Sequence, residues 1–196
     1  MASPITLLGE DYMPALETPP VKLGWKAKDF RLKATDGKSY TLADVKGPKG
    51  LVVMFICNHC PFVQAIAEKI ARDTKELASL GIGSVTIMSN DTEEYPEDSF
   101  DNMIRFHNKY NFGFRYLIDE TQTIAKAYDA VCTPDFFGFD ANLELRYRGR
   151  LDSSGMKKTD GGKRELFEAM KQIATTSHAP ASQMPSIGCS IKWREA

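Results

Sequence analysis

Six apolar residues, Leu51-Val52-Val53-Met54-Phe55-Ile56, run without a break into Cys57-Asn58-His59-Cys60-Pro61. A continuous apolar run between turn signals suits a strand buried on both faces, as in the middle of a parallel or mixed sheet. Beyond it, Phe62, Ile66, Ile70, Leu77 and Leu80 recur at helical spacing, with Glu68, Lys69, Arg72, Asp73 and Lys75 on the opposite side. A pair of cysteines is thus expected where a central strand turns into a long helix. Few folds place a C-x-x-C there, and the rest of the chain has to be read around that junction.

The remaining periodicities alternate between strand and helix. Asp29 to Ala34 and Ser39 to Leu42 alternate around Asp36-Gly37 and predict a hairpin. Ser84-Val85-Thr86-Ile87-Met88 predicts a second buried strand, and Glu97 to Tyr110 a second helix through Phe100, Met103 and Ile104. A short strand is expected at Phe114 to Ile118. Asp119 is expected to cap a helix reaching Tyr128. Phe136 to Phe139 and Leu143 to Tyr147 predict another hairpin, and Leu166, Phe167, Met170 and Ile173 a C-terminal helix. Residues 1–24 read as an irregular arm and residues 177–196 as a loop-like tail. The expectation is one α/β domain over residues 1–196, with a central mixed sheet flanked by helices. Met13, Met54, Met88, Met103 and Met170 are expected in the core; His107 and His178 are expected at the surface.

Charge excludes several classes of partner. The 196 residues carry a formal net charge of −1, which offers no field for nucleic acid or an anionic membrane. No apolar run approaches the roughly 18 residues of a membrane helix. The N-terminus lacks the basic start and apolar stretch of a secretory signal, so the expected location is cytoplasmic. In that setting the four cysteines, Cys57, Cys60, Cys132 and Cys189, are too few for a stapled scaffold, and C-x-x-C points to redox chemistry or metal.

The position of the motif favours redox chemistry. A cysteine at the start of a helix meets unpaired N–H groups and the positive end of the dipole, which stabilise a thiolate. Cys57 is the candidate nucleophile and Cys60 the resolving thiol. A cationic His59 between them would stabilise the thiolate and the dithiol form. A structural zinc would need two more ligands, and Cys132 and Cys189 stand alone, so no metal or cofactor is assigned.

The segments FICNHCPFV, MSNDTEEYPEDSFDNM, YLIDETQTIAKAYDAVCTPDFFGFD, YRGRLD and PSIGCSIKW together resemble the peroxiredoxin-like redoxins of the thioredoxin superfamily, often labelled AhpC/TSA. The resemblance runs from about Trp25 to Trp193. It implies a thioredoxin-like fold with an N-terminal hairpin extension and an inserted strand–helix element. It makes Cys57 and Cys60 the redox pair and Pro134 a cis-proline facing them, with Thr133 and Pro134 docking the substrate backbone. Cys132 would then lie near the pair, and Cys189 could resolve a sulfenic acid on Cys57. Related proteins are commonly weak dimers, so a homodimer is a candidate assembly.

The chain also departs from the family patterns. Met54 and Gly50 stand where peroxiredoxins keep a Thr or Ser and a Pro, and Pro134 falls near the place of their Arg. Arg146, Arg148 and Arg150 follow on a strand expected to face solvent. Ile56 replaces the Trp of thioredoxin, and Leu51 its buried Asp, which leaves Cys60 without an assigned proton acceptor.

Three functions follow. A thiol–disulfide oxidoreductase, maintaining redox balance, would act on a disulfide-bearing protein or small molecule with a thiol reductant as partner. A thiol peroxidase would act on peroxide. A copper-delivery protein of the Sco type would hold a soft metal on Cys57, Cys60 and Cys132.

Overall fold

Strand β4 (Gly50–Phe55) is buried along its whole length, and its side chains feed two cores in strict alternation. Val52, Met54 and Ile56 point into one, while Leu51, Val53 and Phe55 point into the other. The computed structural model describes residues 15–158 and 161–195. β4 runs parallel to β5 (Ile82–Met88) and antiparallel to β8 (Asp135–Phe139).

Four further strands complete the central sheet: β2 (Arg31–Ala34), β3 (Ser39–Thr41), β6 (Arg115–Ile118) and β9 (Leu145–Gly149), in the order β3-β2-β6-β5-β4-β8-β9, a mixed sheet of seven strands. The β2–β3 hairpin joins it through an antiparallel β2–β6 pairing.

On one face lie the long helix α2 (Pro61–Ser79), α3 (Phe100–Tyr110) and α5 (Glu165–Thr176), after the short α1 (Leu42–Val45) in chain order. Val63, Ile66, Ile70 and Leu77 of α2 meet Met103 and Phe106 of α3 and Leu166, Met170 and Ile173 of α5. The other face is covered by α1, by α4 (Thr123–Ala127) and by the segment holding Trp25, whose ring meets Tyr128, Phe137 and Phe139 edge-on. Met54, Met88, Met103 and Met170 are buried as expected; Met13 lies outside the described residues. No helix among the described residues is long and apolar enough to cross a membrane.

Several expectations change. The arm and the tail are not wholly irregular. Ala15–Glu17 forms β1, and Ile187–Ser190 forms β10, which pairs antiparallel with β1 on one side and with β7 (Cys132–Thr133) on the other. Both strands are held by main-chain bonds rather than by an alternating apolar pattern, so the sequence gives them no periodicity. The expected helix from Glu97 is broken at Ser99, whose ψ of 156° is extended; a 3-10 turn (Pro96–Asp98) precedes α3. Asp119 does cap α4, accepting from the Ile124 and Ala125 N–H groups at 3.1 and 2.9 Å, although the helix itself starts only at Thr123.

Candidate active site

The apolar run ends at Ile56, and the chain turns once before Pro61 opens α2. Proline suits this first helical position because its missing N–H has no partner there anyway. Cys60, not Cys57, is therefore the boundary residue of the helix. The dipole and the first free N–H groups act on the second cysteine, and this corrects the expectation that they serve Cys57.

Both cysteines lie against Thr133, whose peptide bond to Pro134 is cis. Thr133 Oγ1 is 3.3 Å from Cys57 Sγ, and the Thr133 carbonyl oxygen is 3.1 Å from Cys60 Sγ. Cys60 Sγ also lies 2.8 Å from Cys189 Sγ on β10. Cys132, by contrast, turns its sulfur to the Pro134 carbonyl at 3.6 Å. The expected trio of Cys57, Cys60 and Cys132 is not among the convergent donor groups of the described residues, which removes the geometric basis for a copper site there. All four cysteines are free and buried.

The electrostatics follow from these contacts. Burial pushes the Cys57 thiol well up, and its hydrogen bond with Cys60 and the charge of Asp98 push the same way, against a smaller opposing effect from the Thr133 hydroxyl. Burial also raises Cys60, but Cys189, Cys57 and Thr133 bond to its sulfur and the Val63 N–H lies close to it, and together they bring it far below the usual thiol range.

The structure adds residues that sequence reading did not find. Asp98 is fully buried beside the motif. It accepts the N–H groups of Asn58 (2.8 Å) and His59 (3.3 Å), the Asn90 side-chain amide (2.8 Å), and His59 Nδ1 at 2.7 Å. Tyr116 donates its hydroxyl to Asn58 Oδ1 at 2.9 Å. Burial disfavours the protonated His59, but the hydrogen bond to Asp98 and the charges of Asp98, Cys60 and Glu97 outweigh it and raise its pKa. The ring also stacks on Tyr95. Nothing in the spacing from His59 to Asp98 signals this pair; only the fold brings them together. One donor atom each from Cys57, His59 and Asp98 falls within 4.8 Å of the others. His59 and Asp98 already bond one another there, so the group reads as a hydrogen-bonded cluster with the thiol at its edge.

Arg148 corrects another expectation. It is buried rather than solvated, bonding Asp135 through Nη2 at 2.8 Å and Nε at 3.3 Å and the Asp129 carbonyl through Nη2 at 2.7 Å. His107 is half-buried and bonds Thr35 through Nδ1 at 3.2 Å, whereas His178 is exposed.

Comparison with known proteins agrees with this architecture. The AhpC/TSA family profile matches residues 23–148. No protein of curated function matches the chain. Among solved structures, an uncharacterized conserved protein from Geobacillus kaustophilus is 44% identical, with a TM-score of 0.89 over 94% of this chain and 98% of that one. A hypothetical protein from Sinorhizobium meliloti is 37% identical, with a TM-score of 0.85 over 92% and 99%. A secreted Mycobacterium tuberculosis disulfide oxidoreductase homologous to E. coli DsbE shares the fold at 23% identity, with a TM-score of 0.50 over 59% and 79%. With a family match over most of its length and a mixed sheet flanked by helices, the chain is a thioredoxin-fold redoxin and belongs to the AhpC/TSA family.

Proposed function

We propose that the protein is a thiol–disulfide oxidoreductase whose working pair is Cys57 and Cys60. The observation that carries this reading is the placement of both sulfurs on Thr133, at 3.3 Å from its hydroxyl for Cys57 and 3.1 Å from its carbonyl oxygen for Cys60. Loss of its proton makes Cys57 the attacking thiolate. It displaces one thiolate from a disulfide substrate and forms a mixed disulfide. That leaving group takes the proton from Cys60, and Cys60 then attacks Cys57, closes the Cys57–Cys60 bond and releases the second thiolate. A thiol reductant returns the pair to its starting state. His59, held by Asp98, favours negative charge on the sulfurs.

The substrate in this reading is a small disulfide. Cys57 is only 1% exposed, and the main chain of Thr133 is already paired with Cys189, which opposes docking of a polypeptide strand. A hollow of about 360 Å³ adjoins His59, lined by Asn58, Gln64, Glu97, Arg105, Phe106 and Lys109 among others; Arg105 and Lys109 outnumber the Glu97 carboxylate there, which suits an anionic disulfide.

Family membership keeps peroxide as the second candidate oxidant. Two features count against it: Met54 is buried and apolar, and Arg148 is committed to Asp135. The discriminating experiment measures thiol loss from the reduced protein with hydrogen peroxide and with oxidised glutathione, each against free glutathione. The expected result is a glutathione-like rate with peroxide and a much faster rate with the disulfide. A peroxide rate orders of magnitude above glutathione's would overturn the assignment in favour of a peroxidase.

A further inference from the structure

The C-terminal strand is built into the redox centre. In β10, Cys189 is the register partner of Thr133 and Ser190 that of Cys132. Ser186 Oγ donates to the Pro134 carbonyl at 2.7 Å, and Ser186 N–H donates to Thr18 Oγ1 at 3.0 Å. Beyond the strand, the Lys192 N–H donates to Asn90 Oδ1 at 2.9 Å, and Asn90 in turn donates to Asp98. The approach is close enough to demand glycine: a Cβ on Gly188 would stand 2.0 Å from the Thr133 carbonyl oxygen. This packing delivers Cys189 Sγ to 2.8 Å from Cys60 Sγ, 129 residues away in sequence, at a site where both are buried.

We infer that Cys189 is a third redox thiol that exchanges with the Cys57–Cys60 disulfide to form a Cys60–Cys189 disulfide. The inference rests on the redox reading of Cys57 and Cys60. The Cys189 sulfur attacks Cys60 Sγ; the Cys60–Cys189 bond forms as the Cys57–Cys60 bond breaks, and the proton of Cys189 ends on Cys57. One disulfide and two thiols are present before and after the Cys189 step (counting Cys132), so it needs no outside oxidant or reductant. Its consequence is that Cys57 becomes a free thiol again while the chain stays oxidised. The oxidising equivalent is stored under β10, and Cys57 can meet a second disulfide before the reductant arrives. β10 thus occupies the edge of β7 as an internal disulfide partner.

Two variants separate this inference from the reading beneath it. Cys189→Ser, oxidised with diamide, should yield the Cys57–Cys60 link. Cys57→Ser, treated identically, alkylated under acid quench and mapped by peptide mass spectrometry, should lose two of its three remaining thiols. Its linked peptide should join Cys60 to Cys189 and leave Cys132 alkylated; Cys57→Ala serves in place of a serine variant that does not fold. Recovery of both Cys60 and Cys189 as alkylated thiols, or their linkage only between chains, would overturn the third-thiol inference while leaving the pair intact. Absence of a Cys57–Cys60 link in Cys189→Ser would instead overturn the underlying pair.

Discussion

Two carboxylates are fully buried within reach of the cysteines, and the protein holds them by different means. Asp135, next to the cis-proline, meets the guanidinium of Arg148. Asp98, next to Cys57, meets two backbone N–H groups, an amide and a single titratable cation, His59. Even with Arg148 in contact, burial raises Asp135 above the usual carboxylate range, because desolvation outweighs the attraction of the guanidinium. The first pair therefore fixes the β8–β9 hairpin at the cost of desolvated charge. The second gives the Cys57–Cys60 site a cation whose presence depends on pH. What separates structural from chemical use here is the kind of partner, not the depth of burial.

Removing each cation should expose that difference. Arg148→Ala leaves Asp135 buried without its partner and should cost about 3–5 kcal/mol, read as a fall in the urea midpoint. Disulfide exchange per folded molecule should stay at the wild-type rate. A stability loss below about 1 kcal/mol would show that the pair does not hold the hairpin.

His59→Gln should act on chemistry more than on stability. Folding raises the His59 pKa above its ordinary value of 6.5. Its contribution is therefore fully present below that value and lost as pH rises through the higher folded value. The stability difference between wild type and His59→Gln should be widest near pH 5 to 6, at most about 1 kcal/mol, and should close at alkaline pH. The charge of Cys60 helps raise His59, so the converse also holds, and the variant should shift the pH profile of thiol alkylation upward. A profile that superimposes on wild type would show that His59 does not act on the cysteines.

The same contrast explains what could be read from the sequence. β4 and α2 were legible because their burial is written as apolar runs and helical spacing, and the C-x-x-C between them carries its own chemistry. The cis Thr133–Pro134 bond was reachable only through family resemblance. Asp98 lies in an acidic stretch, Glu93-Glu94-Tyr95-Pro96-Glu97-Asp98, that reads as solvated; its burial depends on donors 40 residues earlier. Arg148 likewise sits among Arg146 and Arg150 on a strand that looks exposed. β10 carries Gly188, Cys189 and Ser190, residues with little strand signal, and owes its place to main-chain pairing. Hydrophobic pattern reports which segments enter the core; it does not report which polar groups meet there.

The central claim is that Cys57 and Cys60 do the chemistry. Its most direct test is turnover of oxidised glutathione with a thiol reductant by wild type, Cys57→Ser and Cys60→Ser, each shown to be folded by circular dichroism. Both variants should lose turnover, Cys57→Ser for want of the attacking sulfur and Cys60→Ser because it stalls as a mixed disulfide on Cys57. Wild-type turnover in folded Cys57→Ser would contradict the account.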